Sequence, residues 1–406
     1  MTILLPPEIT DKEKKSRGTA PSRWISRYVL PVGWLAFLSG LFWIGDRALF
    51  HKLYYALLAA PALFAMVMQP RLTRRLIGHP LIVAFLLFGS YMSLTLIWSD
   101  SDTAAFSLIK RPIYVLVLLF SAAILAVESP QALGQVLKVS AVIATVASGL
   151  SYGYFIYSGH APLGGQRFHG YGALYNPLLS AHVFGFFAAF WLAYWFSAHK
   201  PLAPLPLACL VILGSVIIAT GSRTPLLALA ATATWLCLGQ LSRRGLLLVL
   251  ATACIGLALL LFHPAALMAR GLSHRPDIWA EAWALATQQP WFGLGYDHQL
   301  LLKLQGSGLA FNDPHNIELA VLLAGGLIGL ILWLALYGIA AIYSWRNRHN
   351  SAVLIASALL VFGFVAGLTE GRDFLPRPKE HWFLLWIPFA LLINAWLISE
   401  PTHEST

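Results

Sequence analysis

The segment Asn312-Asp313-Pro314-His315-Asn316 sets an imidazole at the head of a long apolar run, with an acid, Glu318, three residues further on. Asp is a preferred helix N-cap and Pro a preferred first helical residue, so the spacing predicts His315 in the first turn of a helix. That terminus carries partial positive charge, which favours an anion nearby and a neutral ring able to accept a proton. Glu318 shares the face of the ring and is expected to orient it. Taken alone, a histidine satisfied at a helix end is the plainer reading.

Two arginines stand in comparable places. Arg223 lies in Thr220-Gly221-Ser222-Arg223-Thr224-Pro225, a tight turn in which Gly221 ends one helix and Thr224 is expected to cap the next. Arg275 lies in Ser273-His274-Arg275-Pro276-Asp277, ahead of Ile278, Trp279, Ala282, Trp283 and Ala286 at helical spacing. This predicts a short interfacial helix with Asp277 and Glu281 on its solvated flank. A guanidinium fork binds phosphate or pyrophosphate bidentately, so Arg223 and Arg275 are candidate pyrophosphate ligands. Arg167, Arg372, Arg377 and Lys379 are left for a second anionic partner, against the alternative that they snorkel to lipid phosphate. Asp100-Ser101-Asp102 has the form of a metal-binding glycosyltransferase motif, but serves equally as a helix cap; no metal is expected.

The elements that must carry these residues follow from composition. Of 406 residues 58% are hydrophobic and 11% charged, too few charges to clothe a water-facing surface. Twelve apolar stretches of spanning length run over 27–44, 50–69, 81–98, 109–127, 132–157, 176–196, 204–221, 225–241, 245–262, 315–345, 351–370 and 381–398. Basic clusters follow the even-numbered ones: Arg71, Arg74 and Arg75; Lys200; Arg243 and Arg244; Arg346 and Arg348. The positive-inside rule puts that side, and both termini, in the cytoplasm. The net charge of +10 thus sets topology and gives no reason to expect nucleic acid. Cys209, Cys237 and Cys254 all lie in apolar runs, so no disulfide framework is expected. The expectation is an all-α integral membrane protein with about 12 transmembrane helices in one polytopic domain, 1–406. It has cytoplasmic tails at 1–26 and 399–406 and a large periplasmic loop with short helices at 263–314. The candidate basic residues, Arg270 and Lys303 included, all face the periplasm, where topology gives no reason for them. Ionisable residues within the stretches are few, Lys138 and His182 among them, which disfavours a transporter.

Pro314-His315-Asn316 opens a span containing Gly325-Gly326-Leu327-Ile328-Gly329. Arg275 precedes Pro290-Trp291-Phe292-Gly293-Leu294-Gly295-Tyr296, and Ser222-Arg223 comes before both. In that order, over about residues 215–335, the chain resembles the O-antigen ligase and polymerase superfamily of envelope glycosyltransferases, and its length and dominant loop resemble the ligase branch. The resemblance implies a fold like the membrane-embedded C-type glycosyltransferases. It further implies a glycan donor on undecaprenyl pyrophosphate, a lipid A–core acceptor in lipopolysaccharide biosynthesis, and inverting, metal-independent transfer without a cofactor in the bacterial inner membrane. Polymerases and O-linked protein oligosaccharyltransferases of the same superfamily are the alternatives.

Overall fold

Hydrocarbon offers the backbone no hydrogen-bond partners, so a chain of this composition must satisfy its N–H and C=O groups within helices. In a computed structural model, which describes residues 20–161, 166–198, 204–262, 274–304 and 309–399, helix occupies every one of the apolar stretches. Lys200, Arg270, most of the N-terminal tail, the C-terminal tail from 400 onward and residues 263–273 and 305–308 of the large loop lie outside the described residues.

The helices are α1 (residues 20–40), α2 (Arg47–Met68), α3 (Pro70–Ile77), α4 (Pro80–Ile97), α5 (Ala105–Glu128), α6 (Ala132–Tyr157) and α7 (Pro177–Ser197). Then come α8 (Pro204–Ala219), α9 (Thr224–Gln240), α10 (Arg243–Phe262), α11 (Arg275–Ala286), α12 (Ile317–Arg346), α13 (Ser351–Gly367), α14 (His381–Leu384) and α15 (Trp386–Ser399). By length and composition α2, α4, α5, α6, α7 and α12 can cross a membrane, and α8, α13 and α15 are shorter apolar helices. A two-residue antiparallel ribbon pairs Leu302 with Phe311 and Lys303 with Ala310. Some of the polar groups inside the bundle tie helices together: Trp34 Nε1 donates to Ser121 Oγ (3.1 Å), and Asn394 Nδ2 to the carbonyl of Ala122 (2.9 Å).

Contacts between connections sort the bundle into two ends. At one, Arg244 bonds the carbonyl of Ala198, the rings of Tyr343 and Trp396 stack 3.7 Å apart, and those of Trp235 and Trp345 meet at 5.8 Å. His79 packs on Trp396 there, close to Arg71, Arg74 and Arg75 in chain. The other end gathers the connections around 166–175, 220–224, 274–316 and 368–380, through bonds described below. Every arginine singled out as a ligand candidate within the described residues lies at this second end.

One helix departs from a straight rod. Gly326, at φ +60 and ψ −161, interrupts α12. Residues eight apart in a straight helix are separated by about 12 Å along the axis. Yet a Cβ on Gly329 would lie 3.6 Å from the carbonyl oxygen of Val321. Glu318 likewise reaches the neighbourhood of Trp333 and Tyr337, two turns and more beyond the break. Residues 317–325 therefore double back beside residues 327–346, which alone make up about 30 Å of helix, enough to cross hydrocarbon.

The backbone groups freed by the break are taken up by the Pro290–Gly295 segment. Leu294 and Gly295 donate to the carbonyls of Leu323 (2.7 Å) and Ala324 (2.9 Å), while Leu327 donates to that of Pro290 (2.8 Å). Such pairing is what permits irregular backbone at membrane depth. The fold-back carries the start of α12 about 12 Å down from the break. Among the described residues α8, α9, α13 and α15 have 14 to 17 residues, or about 21–26 Å, less than a full hydrocarbon thickness.

Candidate active site

His315 lies in a turn that differs from the one its sequence predicts. The cap of α12 is Asn316, extended at φ −160 and accepting from Leu319 N at 2.8 Å; Asp313 is not the cap and His315 is not helical. Asp313 Oδ1 instead accepts from the backbone N–H of His315 at 2.7 Å, closing a turn in which His315 adopts φ +50. An Asp side chain bonding two residues ahead competes well with helix capping. A left-handed conformation at a non-glycine residue costs on the order of 1–3 kcal/mol and persists only where its surroundings dictate it. Here they do. Trp279 Nε1 donates to the Pro314 carbonyl (3.0 Å), Arg372 to that of Asn312 (2.6 Å), and Asn316 Nδ2 to that of Leu368 (2.9 Å). His315 Nδ1 lies 3.8 Å from Asp313 Oδ1, too far to bond, and has no hydrogen-bond partner.

Arg275 opens α11 and puts Nη2 at 3.2 Å from Glu370 Oε2. The Glu370 side chain is only 6% exposed. Burial pushes its pKa up to about 7; Arg275 pulls it back, Asp313 pushes it further up, and Arg167 pulls it down. Those four groups therefore share one electrostatic neighbourhood. Arg167 reaches into the α8–α9 turn, where Nε donates to the Thr220 carbonyl (2.6 Å) and Nη2 to Ser222 Oγ (2.8 Å). Arg223, partly exposed, is the residue preceding α9; the helix proper begins at Thr224, so Arg223 occupies the cap position expected of Thr224. Thr224 Oγ1 then meets Thr369 Oγ1 at 3.0 Å, one residue from Glu370. Arg223 is thus bracketed by a residue bonded to Arg167 and a residue bonded to the loop that carries Glu370.

Arg223, Arg275 and His315 are accordingly brought to one set of interlinked turns, and Arg167 joins them. The other candidates go elsewhere. Arg372 bonds the carbonyls of Asn312 and His298 and so braces the His315 turn. Lys379 pairs with Asp373. Arg377 is exposed and lies toward His51 of α2, beside the pair formed by Arg47 and Glu380 (2.5 Å). Glu318 faces Trp333 inside the fold-back; its Oε2 has no hydrogen-bond partner, and the carboxylate next to the imidazole belongs to Asp313. Asp100 and Asp102 accept from the backbone and side chain of Gln299 at 2.9 and 2.7 Å. Among the described residues no group of three or more His, Cys, Asp or Glu side chains is gathered to hold a metal.

Glu370 is absent from the sequence reading. Acids contribute little to the charge bias that sets topology, so nothing in the sequence sets this one apart.

Guanidinium groups gathered at linked turns can hold a diphosphate, and an imidazole in a neighbouring turn can take a proton from a hydroxyl. Residues 208–334, which include Arg223, Arg275 and His315, match the family model described as O-antigen ligase. An O-antigen ligase of Pseudomonas aeruginosa is 52% identical over 380 residues, which is 93% of this chain and 92% of that protein. A likeness that runs nearly end to end in both chains, through the span that carries the imidazole and two of the arginines, makes this chain a member of the O-antigen ligase family.

Proposed function

We propose that the protein transfers a glycan from undecaprenyl pyrophosphate to a sugar hydroxyl of lipid A–core, at the periplasmic face of the bacterial inner membrane. The observation that carries this reading is the junction of Arg275, Glu370 and Arg167 with the His315 turn. It sits at the end of the bundle opposite the arginine clusters that mark a cytoplasmic side. With both termini at the cytoplasmic end, the chain crosses the membrane twelve times.

In this mechanism Arg223, Arg275 and Arg167 grip the donor's diphosphate and neutralise the charge that grows on the leaving oxygen. The acceptor oxygen attacks the anomeric carbon from the face opposite the diphosphate, its proton passes to His315, and the bond from that carbon to the phosphate oxygen breaks. The anomeric configuration inverts, and undecaprenyl pyrophosphate leaves. Asp313 stabilises the imidazolium that forms. The arginines supply the positive charge that a divalent ion would otherwise provide, so transfer needs no metal. Arg377, with Arg47 beside it, remains the candidate contact for acceptor phosphates.

The test is reconstitution of the purified protein with lipid-linked glycan. Product is expected only when lipid A–core is present, and EDTA is expected to leave the rate unchanged. Growth of longer lipid-linked glycans without lipid A–core would assign a polymerase instead.

A further inference from the structure

Glu370 poses a physical problem for any anion bound by Arg275. It is an acid with a 6% exposed side chain, 3.2 Å from the guanidinium that the donor must use. Among the described residues only one nitrogen of that fork is engaged, and the Arg275 side chain is 23% exposed. The groups facing Glu370 come from several elements. Arg275 is on α11, Arg167 and Asp313 on the neighbouring connections, and Arg372 and Asp373 on its own loop. Beneath lie two buried histidines: His381 of α14, whose Nε2 would be 2.9 Å from a Cβ on Gly371, and His182 of α7, which senses both His381 and Arg275.

Charge counting exposes the conflict. Arg275 and Arg167 face the carboxylates of Glu370 and Asp313, and the donor reading adds Arg223 to the grip on the diphosphate; these five groups together carry one net positive charge. A diphosphate diester brings two negative charges. With both carboxylates still ionised, the filled site would hold one uncompensated negative charge among these groups, which is costly where they are buried.

Resting on the donor reading above, we propose that Glu370 is a positioning residue that holds Arg275 in place while the site is empty and yields it to the donor's diphosphate, taking up a proton as it does so. The uptake restores neutrality. Burial already places the carboxyl at about 7, where a proton is readily gained, so no large rearrangement has to drive it.

The sign follows. Above about pH 7 the empty site holds Glu370 ionised and donor binding must bring in a proton; below it the proton is already present. Donor affinity should therefore be flat in acid and fall by up to about tenfold per pH unit above about pH 7. The probe is a short polyprenyl pyrophosphoryl sugar, whose diester phosphates stay singly ionised throughout, bound to the full chain in nanodiscs between pH 5.5 and 8.5. Glu370→Gln is expected to abolish the slope and to bind more tightly than the natural chain at pH 8.5. The natural chain at pH 7.5, weakly buffered, should take up most of one proton per donor bound, a readout that needs no variant. A Glu370→Gln protein that keeps the slope, or binding without proton uptake, overturns the proposal. Arg275→Gln separates it from its parent. If that variant binds the probe weakly while Glu370→Gln keeps the slope, only the Glu370 proposal fails; if it binds as the natural chain does, the diphosphate reading falls and takes the proposal with it.

Discussion

His315 adopts a conformation that costs free energy, and four bonds from three parts of the chain hold it there. Asp313→Ala, which removes both the turn-closing acceptor and the carboxylate beside the ring, is therefore expected to lower kcat without weakening donor binding. Asp313→Asn keeps the turn and removes the charge, so it should recover only part of the rate; full recovery would show that the charge is irrelevant. At the arginines, Lys restores charge without the planar fork. Arg275→Lys and Arg223→Lys should still bind donor at least tenfold more weakly than the natural chain, as read by titration with lipid-linked glycan. Residue by residue, topology gave the reason to look at Arg223 and Arg275, and the Asp-Pro-His segment at the head of an apolar run gave the reason to look at His315; the structure brings the three to linked turns. The sequence misled at Arg372 and Lys379, because a side chain bonded to two carbonyls or to Asp373 looks no different in sequence from one waiting for a ligand. Glu318 was assigned to the ring by helical periodicity, which fails when the helix begins two residues after the histidine.

Among the elements, the fold-back of α12 was the hardest to foresee. Residues 315–345 read as one apolar run, and Gly325-Gly326 as a feature within it. Hydropathy measures what a segment can be buried in; it does not report the direction in which the segment runs. Only the partners of the freed backbone reveal the reversal, and those lie some thirty residues upstream at Pro290–Gly295. The two glycine motifs are in fact one joint: a Cβ on Gly326 would stand 2.3 Å from the Trp291 carbonyl, and one on Gly293 2.5 Å from Gly326 N. Both residues also have positive φ. Gly326→Ala and Gly293→Ala should each lower the thermal unfolding midpoint and depress transfer, whereas Gly338→Ala, on the straight limb with open space around it, should leave both unchanged. Equal tolerance of all three would show that the joint does not hold the site in place.

For the whole molecule, the apolar segments and the arrangement of positive charge were legible throughout, because membrane insertion leaves a period and a charge bias that tertiary packing does not overwrite. The gathering of the site was not legible. It comes from bonds between connections far apart in the chain, around 167, 220–224, 275, 313–316 and 368–372, which no local pattern reports. Sidedness has its own check. With the native cysteines replaced, Tyr171→Cys should react in intact spheroplasts with a membrane-impermeant maleimide, and His349→Cys only after lysis. The reverse pattern would place the site in the cytoplasm.

The central claim is that one imidazole takes the acceptor's proton beside arginines that hold the donor. The most direct measurement compares His315→Ala with the natural chain at matched amount, reading donor binding and glycan transfer on the same preparation. Donor affinity should stay within a few-fold while transfer falls about 10²–10⁴-fold, the usual contribution of a general base. Transfer at close to the natural rate would contradict the account.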